Sequence, residues 1–171
     1  MRLFLASILA AFTFVAWSAP DGFVASVVYV NDGDTIVIEV DNNNRDNVRI
    51  VSIDAPEKGR RGVPGQPYSE RSRQHLYSLV GRRDVRLISL GRDDYGRLLA
   101  RVWIGDVDVG LAQVCAGYAW VFDKYIYQLP VAEQRTYQDC ETKARQERRG
   151  LWRGTRPMAP WQWRYSRRDA N

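Results

Sequence analysis

Histidine is nearly missing from this chain: among 171 residues there is one, His75. That scarcity excludes a pair of histidines for acid–base catalysis and a zinc site with two or more imidazole ligands. It also excludes any Ser-His-Asp arrangement not built around His75. His75 falls in a segment of helical spacing, away from any Ser or Cys with a suitable local motif, and reads as a surface or packing residue. Cysteine is almost as scarce, with only Cys115 and Cys140. There is no internal repeat and no long low-complexity stretch. The apolar run at residues 3–17 is shorter than the roughly 20 residues a membrane-spanning helix needs.

That run, preceded by Arg2, has instead the length of the apolar part of an export signal. Ala16 and Ser18 put small residues at −3 and −1 of a cut after Ser18, whereas a cut after Ala19 would leave Pro20 at +1. Residues 1–19 are therefore expected to be a signal peptide, with a retained anchor as the alternative. The mature protein is expected to be secreted or periplasmic. In an oxidising compartment two cysteines suit one disulfide between Cys115 and Cys140; the alternative is two buried thiols. The formal net charge of +5 is modestly basic and permits a polyanionic partner. The charge is uneven: residues 143–171 carry nine Lys/Arg against Glu147 and Asp169. That segment is either a solvated tail or a phosphate-contacting one.

Apolar patterning predicts strands over residues 23–30, 35–40 and 48–53, then a Gly/Pro-rich loop at 59–66. Helical spacing follows over 70–80, two strands over 85–90 and 98–104, and helices over 109–116 and 131–149. Residues 20–154 thus read as one domain and residues 155–171 as an extended basic, aromatic tail. Periodicity alone supports a small α+β domain. Five strands with a helix between the third and fourth match the order of an OB-fold.

The carboxylates carry more chemistry than the histidine. Asp32-Gly33-Asp34-Thr35 stands in the turn between the first two strands, and Asp54-Ala55-Pro56-Glu57 follows the third. Clustered carboxylates repel unless a cation or guanidinium joins them, and hard cations prefer such oxygen ligands. Arg49 precedes Asp54 by five positions, which puts the two on opposite faces of a regular strand unless it bends. Arg97 follows Asp93-Asp94-Tyr95-Gly96. An arginine fork suits phosphate oxygens. Locally, these features fit either a metal-plus-arginine phosphate site or ordinary turn aspartates with surface ion pairs.

Three blocks in order decide between them: Asp32-Gly33-Asp34-Thr35, the run from Val48-Arg49 to Asp54-Ala55-Pro56-Glu57, and Asp94-Tyr95-Gly96-Arg97. Together they resemble the signatures of the staphylococcal (thermonuclease-type) nucleases. Gly117-Tyr118-Ala119-Trp120-Val121, Gly150-Leu151-Trp152 and Pro160-Trp161-Gln162-Trp163-Arg164 extend the similarity. The resemblance implies a five-stranded OB-fold β-barrel with three α-helices. It also implies a Ca²⁺-dependent endonuclease acting on DNA or RNA, single-stranded or frayed by preference, and leaving 3′-phosphates.

By position, Asp34, Asp54 and the carbonyl of Ala55 resemble the family's Ca²⁺ ligands, and Glu57 the carboxylate that orients or deprotonates water. Arg49 and Arg97 resemble the guanidiniums that hold the phosphate, while Tyr95 and Tyr125 resemble residues lining the nucleotide pocket. The chain departs from the family at Asp94, where a well-known member has lysine, at Gly110, often asparagine, and at Cys115, often basic. The processed chain is expected to be a monomer without stable membrane association. The alternative function is a catalytically inactive nucleic-acid-binding module of the same fold.

Overall fold

The computed structural model describes residues 22–41, 44–60 and 62–168. The expected signal peptide at residues 1–19 lies outside the described residues. The N-terminal half is a meander of β1 (Phe23–Val30), β2 (Thr35–Glu39) and β3 (Arg45–Ile50), followed by the short β4 (Ile53–Asp54). Helix α1 (Ser69–Val80) leads into β5 (Asp84–Arg92), β6 (Leu98–Ile104) and the short β7 (Val107–Asp108). Then come α2 (Val109–Cys115), β8 (Trp120–Val121), a 3₁₀ turn (Asp123–Gln128), α3 (Val131–Gln146), a second 3₁₀ turn (Gly150–Arg153) and α4 (Pro160–Arg168).

The main sheet runs β3-β2-β1-β5-β6-β7, and a parallel β3–β6 pairing closes β1, β2, β3, β5 and β6 into a five-stranded barrel. Closure sets Val48 beside Leu98, Arg49 beside Leu99 and Ile50 beside Ala100. The alternation of the strands explains the interior: Ile36, Ile38, Val48, Ile50, Leu87 and Val102 are all buried. Each such side chain contributes about 1.5–3 kcal/mol relative to exposure. Leu76 and Val80 of α1, Val109 and Val114 of α2 and Tyr137 of α3 cover the same core. Cys115 and Cys140 are joined by a disulfide that ties the end of α2 to α3 across 25 residues of sequence. Loop closure of that size contributes about 3 kcal/mol.

Two expectations are corrected. The third strand, expected over residues 48–53, is broken after Ile50: Ser52 has a positive φ of 64°, and the chain resumes as β4. The turn is held from outside, because the Ser52 carbonyl accepts the Phe122 N–H at 2.9 Å and its hydroxyl donates to the Tyr125 carbonyl at 3.2 Å.

The tail expected to be extended over residues 155–171 instead contains a fourth helix, α4. Pro160 at its first position has the φ a helix needs and no N–H to leave unpaired. Its Trp161 stacks on Phe122 at 5.4 Å and meets Trp120 edge-on at 5.7 Å. Those contacts dock the helix on a second apolar cluster of Trp120, Ala144, Leu151, Trp152 and Ala159.

Candidate active site

At one end of the barrel, the β1–β2 turn, the β3–β4 bend and the β5–β6 turn open onto a single cleft of about 700 Å³. Asp34, Arg49, Asp54, Ala55, Glu57, Tyr95, Arg97 and Tyr125 all line it. Segments far apart in sequence therefore meet at one place.

The β1–β2 turn is fixed from below. Gly33 has no room for a side chain: a Cβ there would lie 1.8 Å from Ser72 Oγ and 2.7 Å from the Ala55 Cβ. Gln113 of α2, wholly buried, donates its amide to the Gly33 carbonyl at 2.6 Å and to the Ser72 carbonyl at 3.2 Å. His75 hydrogen-bonds the same Gln113 and stacks on Tyr118 with ring centroids 4.8 Å apart. The lone histidine is thus a packing residue behind the site.

Asp34 has both oxygens engaged. Oδ2 accepts the Ala55 N–H at 2.6 Å and Oδ1 accepts the Thr35 hydroxyl at 3.0 Å. Arg49 Nη2 lies 3.3 Å from Asp34 Oδ2 and 3.1 Å from Asp54 Oδ1, so one guanidinium nitrogen joins the two aspartates. The bend at Ser52 makes this possible. By breaking the alternation between Arg49 and Asp54, it turns two residues of opposite parity toward one point. Arg49 Nη1 also donates to its neighbour's carbonyl, on Ile50, at 2.7 Å.

The cluster is short of positive charge. Burial, reinforced by the Asp34 carboxylate, pushes Asp32 up to about 7. Burial pushes Asp54 up to about 6, against the pull of Arg164 and Arg49. Among the described residues no three His, Cys, Asp or Glu side chains converge as a metal cage. A cation here would rest on Asp34 and Asp54, a main-chain oxygen and water. Such an all-oxygen set fits a hard ion such as Ca²⁺ and not zinc.

The opposite rim is looser. Arg97 hangs on Asp93, whose Oδ2 accepts from Nε at 2.8 Å and pairs with Nη2 at 2.7 Å. Its guanidinium sits 5.6 Å from the centre of the Tyr95 ring, and Tyr95 is 85% exposed. Tyr125 packs edge-on against Phe122 at 5.1 Å, with Lys124 over its ring. Glu57 sits on a loop pinned by Gln66: the Gln66 side chain accepts the Glu57 N–H at 3.1 Å, and its amide donates to the Met158 carbonyl at 2.7 Å.

A cleft residue from the tail was given no site role in the sequence. Arg164 of α4 forks onto Asp54, with Nη1 at 3.2 Å from Oδ1 and Nη2 at 2.9 Å from Oδ2, and Nη1 also bonds Glu57. The signal available was Pro160 followed by Trp161 and Arg164 at i, i+3 spacing, the start of a helix with one apolar and one charged residue on a shared face.

Comparison with known proteins identifies the family. The family described as "Staphylococcal nuclease homologue" matches residues 47–154. An "Uncharacterized endonuclease" of Haemophilus influenzae is 32% identical over 163 residues, covering 95% of this chain and 85% of that protein. Another protein of that description, from Escherichia coli O157:H7, is 39% identical over 142 residues, covering 81% of this chain and 83% of its own length. A "Micrococcal nuclease" of Shigella flexneri is 31% identical over 179 residues, covering 99% of this chain and 95% of its own. With the barrel, the bent third strand and these matches together, the chain belongs to the staphylococcal nuclease family.

Proposed function

We propose that the protein is an exported, Ca²⁺-dependent endonuclease that hydrolyses phosphodiester bonds of DNA and RNA and leaves 3′-phosphate ends. The observation that carries this is the shared contact of Arg49 with Asp34 and Asp54 inside a cleft that Glu57 and Arg97 also line. The printed names of the relatives, endonuclease and nuclease, point the same way. A nucleic-acid-binding module without catalysis would have no use for a carboxylate base beside two buried aspartates; all five charged positions are present here.

Asp34 and Asp54 would hold a divalent cation, which would supply neutralisation of phosphate charge when bound. Glu57, held at the cleft by Gln66, accepts a proton from the attacking water. Arg49 and Arg97 supply donors to the phosphate oxygens as charge builds on them in the transition state. Tyr95 and Tyr125 offer faces and hydroxyls to the flanking nucleotides without demanding a sequence. Cleavage on the 5′-oxygen side leaves a 5′-hydroxyl on one fragment and a 3′-phosphate on the other.

Digestion of a plasmid and of a single-stranded RNA, side by side in Ca²⁺, Mg²⁺ and EDTA, tests this. Both should be cut in Ca²⁺ and left intact in EDTA, and the fragments should accept a 5′ label without prior phosphatase treatment. Glu57→Gln and Arg97→Ala should each lower turnover by about 10²–10³-fold while the melting temperature holds. Undiminished cutting in EDTA, or by either variant, would remove the mechanism.

A further inference from the structure

Three guanidiniums that line the cleft are each engaged by a carboxylate. Arg49 spans Asp34 and Asp54, Arg97 is on Asp93, and Arg164 is on Asp54 and Glu57. The third pairing is the unexpected one, because it comes from the far end of the chain. Asp54 and Glu57 are the very groups the proposed chemistry needs free, one for a cation and one for water.

Arg164 is well placed to change partners. Its fork covers both oxygens of Asp54, so a cation taking either oxygen displaces at least part of that contact. The helix that carries it does not depend on Asp54 for its position. Trp161, one turn earlier, remains packed on Phe122 and Trp120, and the Met158 carbonyl remains bonded to Gln66. A released guanidinium would therefore stay in the cleft wall. It would also border a neighbouring hollow of about 510 Å³ that Lys124, Trp161 and Tyr165 share with it. A planar fork, freed from one carboxylate beside a bound cation, matches a phosphate in shape and charge.

We propose that Arg164 is a third phosphate-binding guanidinium of this site, held on Asp54 and Glu57 until a cation claims those carboxylates and then turned to the nucleic-acid backbone. This rests on the cation site of the proposed function. It assigns to α4 a direct part in gripping substrate and makes the loading of cation and nucleic acid mutually reinforcing. Without the cation, Arg164 competes for Asp54. With it, the same side chain becomes available to phosphate.

Calorimetric Ca²⁺ binding and anisotropy of a fluorescent phosphorothioate oligodeoxynucleotide, both on the full chain, separate the steps. Arg164→Gln should tighten Ca²⁺ about tenfold by removing the competitor, and should weaken the oligonucleotide in saturating Ca²⁺ by about tenfold or more by removing the fork. Arg164→Lys should recover part of the oligonucleotide affinity. Trp161→Ala, which undocks α4 without touching the guanidinium, should weaken the oligonucleotide as well. Unchanged oligonucleotide affinity in Arg164→Gln would overturn the assignment even if Ca²⁺ bound more tightly. Unchanged Ca²⁺ affinity would overturn the exchange. A wild-type protein that binds no Ca²⁺ would remove the cation site itself and this proposal with it, an outcome distinct from the other two.

Discussion

The two sides of the cleft are built differently. The inner shelf, with Asp34, Arg49 and Asp54, is set into the barrel: Asp54 is only 2% exposed, and Asp34 is anchored to the backbone of Ala55 at 2.6 Å. The outer rim, with Arg97 and Tyr95, stands on the β5–β6 turn and touches little beyond its own residues. The shelf is organised before any ligand arrives, and that organisation comes from the same contacts that hold the fold. On the rim, by contrast, the order is local to the turn, where Asp93 holds Arg97 and Tyr95 is left exposed. On the proposed function, electrostatic preorganisation therefore resides mainly on the shelf, and contacts on the rim can be changed with little consequence for stability.

The contrast is broken hardest by Arg49→Ala. It removes the proposed phosphate donor and leaves two buried carboxylates without the nitrogen they share. Turnover should fall by about 10³-fold or more. Metal-free stability should fall by roughly 3 kcal/mol, because an unpaired charge remains buried. Arg97→Ala should match the first effect in kind and lack the second. Urea melts in EDTA on both variants check this; equal stability losses would erase the distinction between shelf and rim.

Gly33→Ala probes the shelf without touching a charge. The added methyl meets Ser72 Oγ, Ser72 Cβ and the Ala55 Cβ, all closer than 3.0 Å, so the turn bearing Asp32 and Asp34 must shift. Overpacking of this kind costs roughly 2 kcal/mol. An ångström of misplacement at Asp34 should lower turnover by about 10²-fold. Ser72→Gly in the same chain takes away two of the three atoms and should restore part of both losses, read by melting temperature and kcat together.

The shelf was also the more legible part of the sequence. Asp34, Arg49 and Asp54 stand at or beside strand ends that hydrophobic alternation locates, with Glu57 in the loop that follows; the blocks that resemble the family single them out, and the barrel strands fall within a few residues of their expected limits. What alternation could not supply was the meeting of Arg49 with Asp54. It depends on a left-handed Ser52, and a non-glycine residue in that conformation has no sequence signature. The position of Arg164 was hidden for a different reason. The composition of the tail marked it as basic and aromatic, but its docking depends on Trp120, Phe122 and Trp161 packing together, a tertiary contact with no local periodicity. The disulfide stood between two alternatives in the sequence because spacing alone does not bring two Cβ atoms together.

The mildest test lies on the rim. Asp93 accepts the main-chain N–H groups of Tyr95 and Arg97 through Oδ1, each at 3.0 Å, and holds the Arg97 side chain through Oδ2. Asp93→Asn keeps an acceptor for the turn, which asparagine suits, and cancels the charge that restrains Arg97. Because the pair is partly solvated, it is worth about 1 kcal/mol or less. If Asp93 only occupies Arg97 until substrate comes, kcat should hold and KM should fall by about two- to fivefold. The gain should shrink in high salt as the phosphate attraction is screened. If instead Asp93 aims Arg97 at the phosphate, kcat should drop, and the rim would prove as preorganised as the shelf.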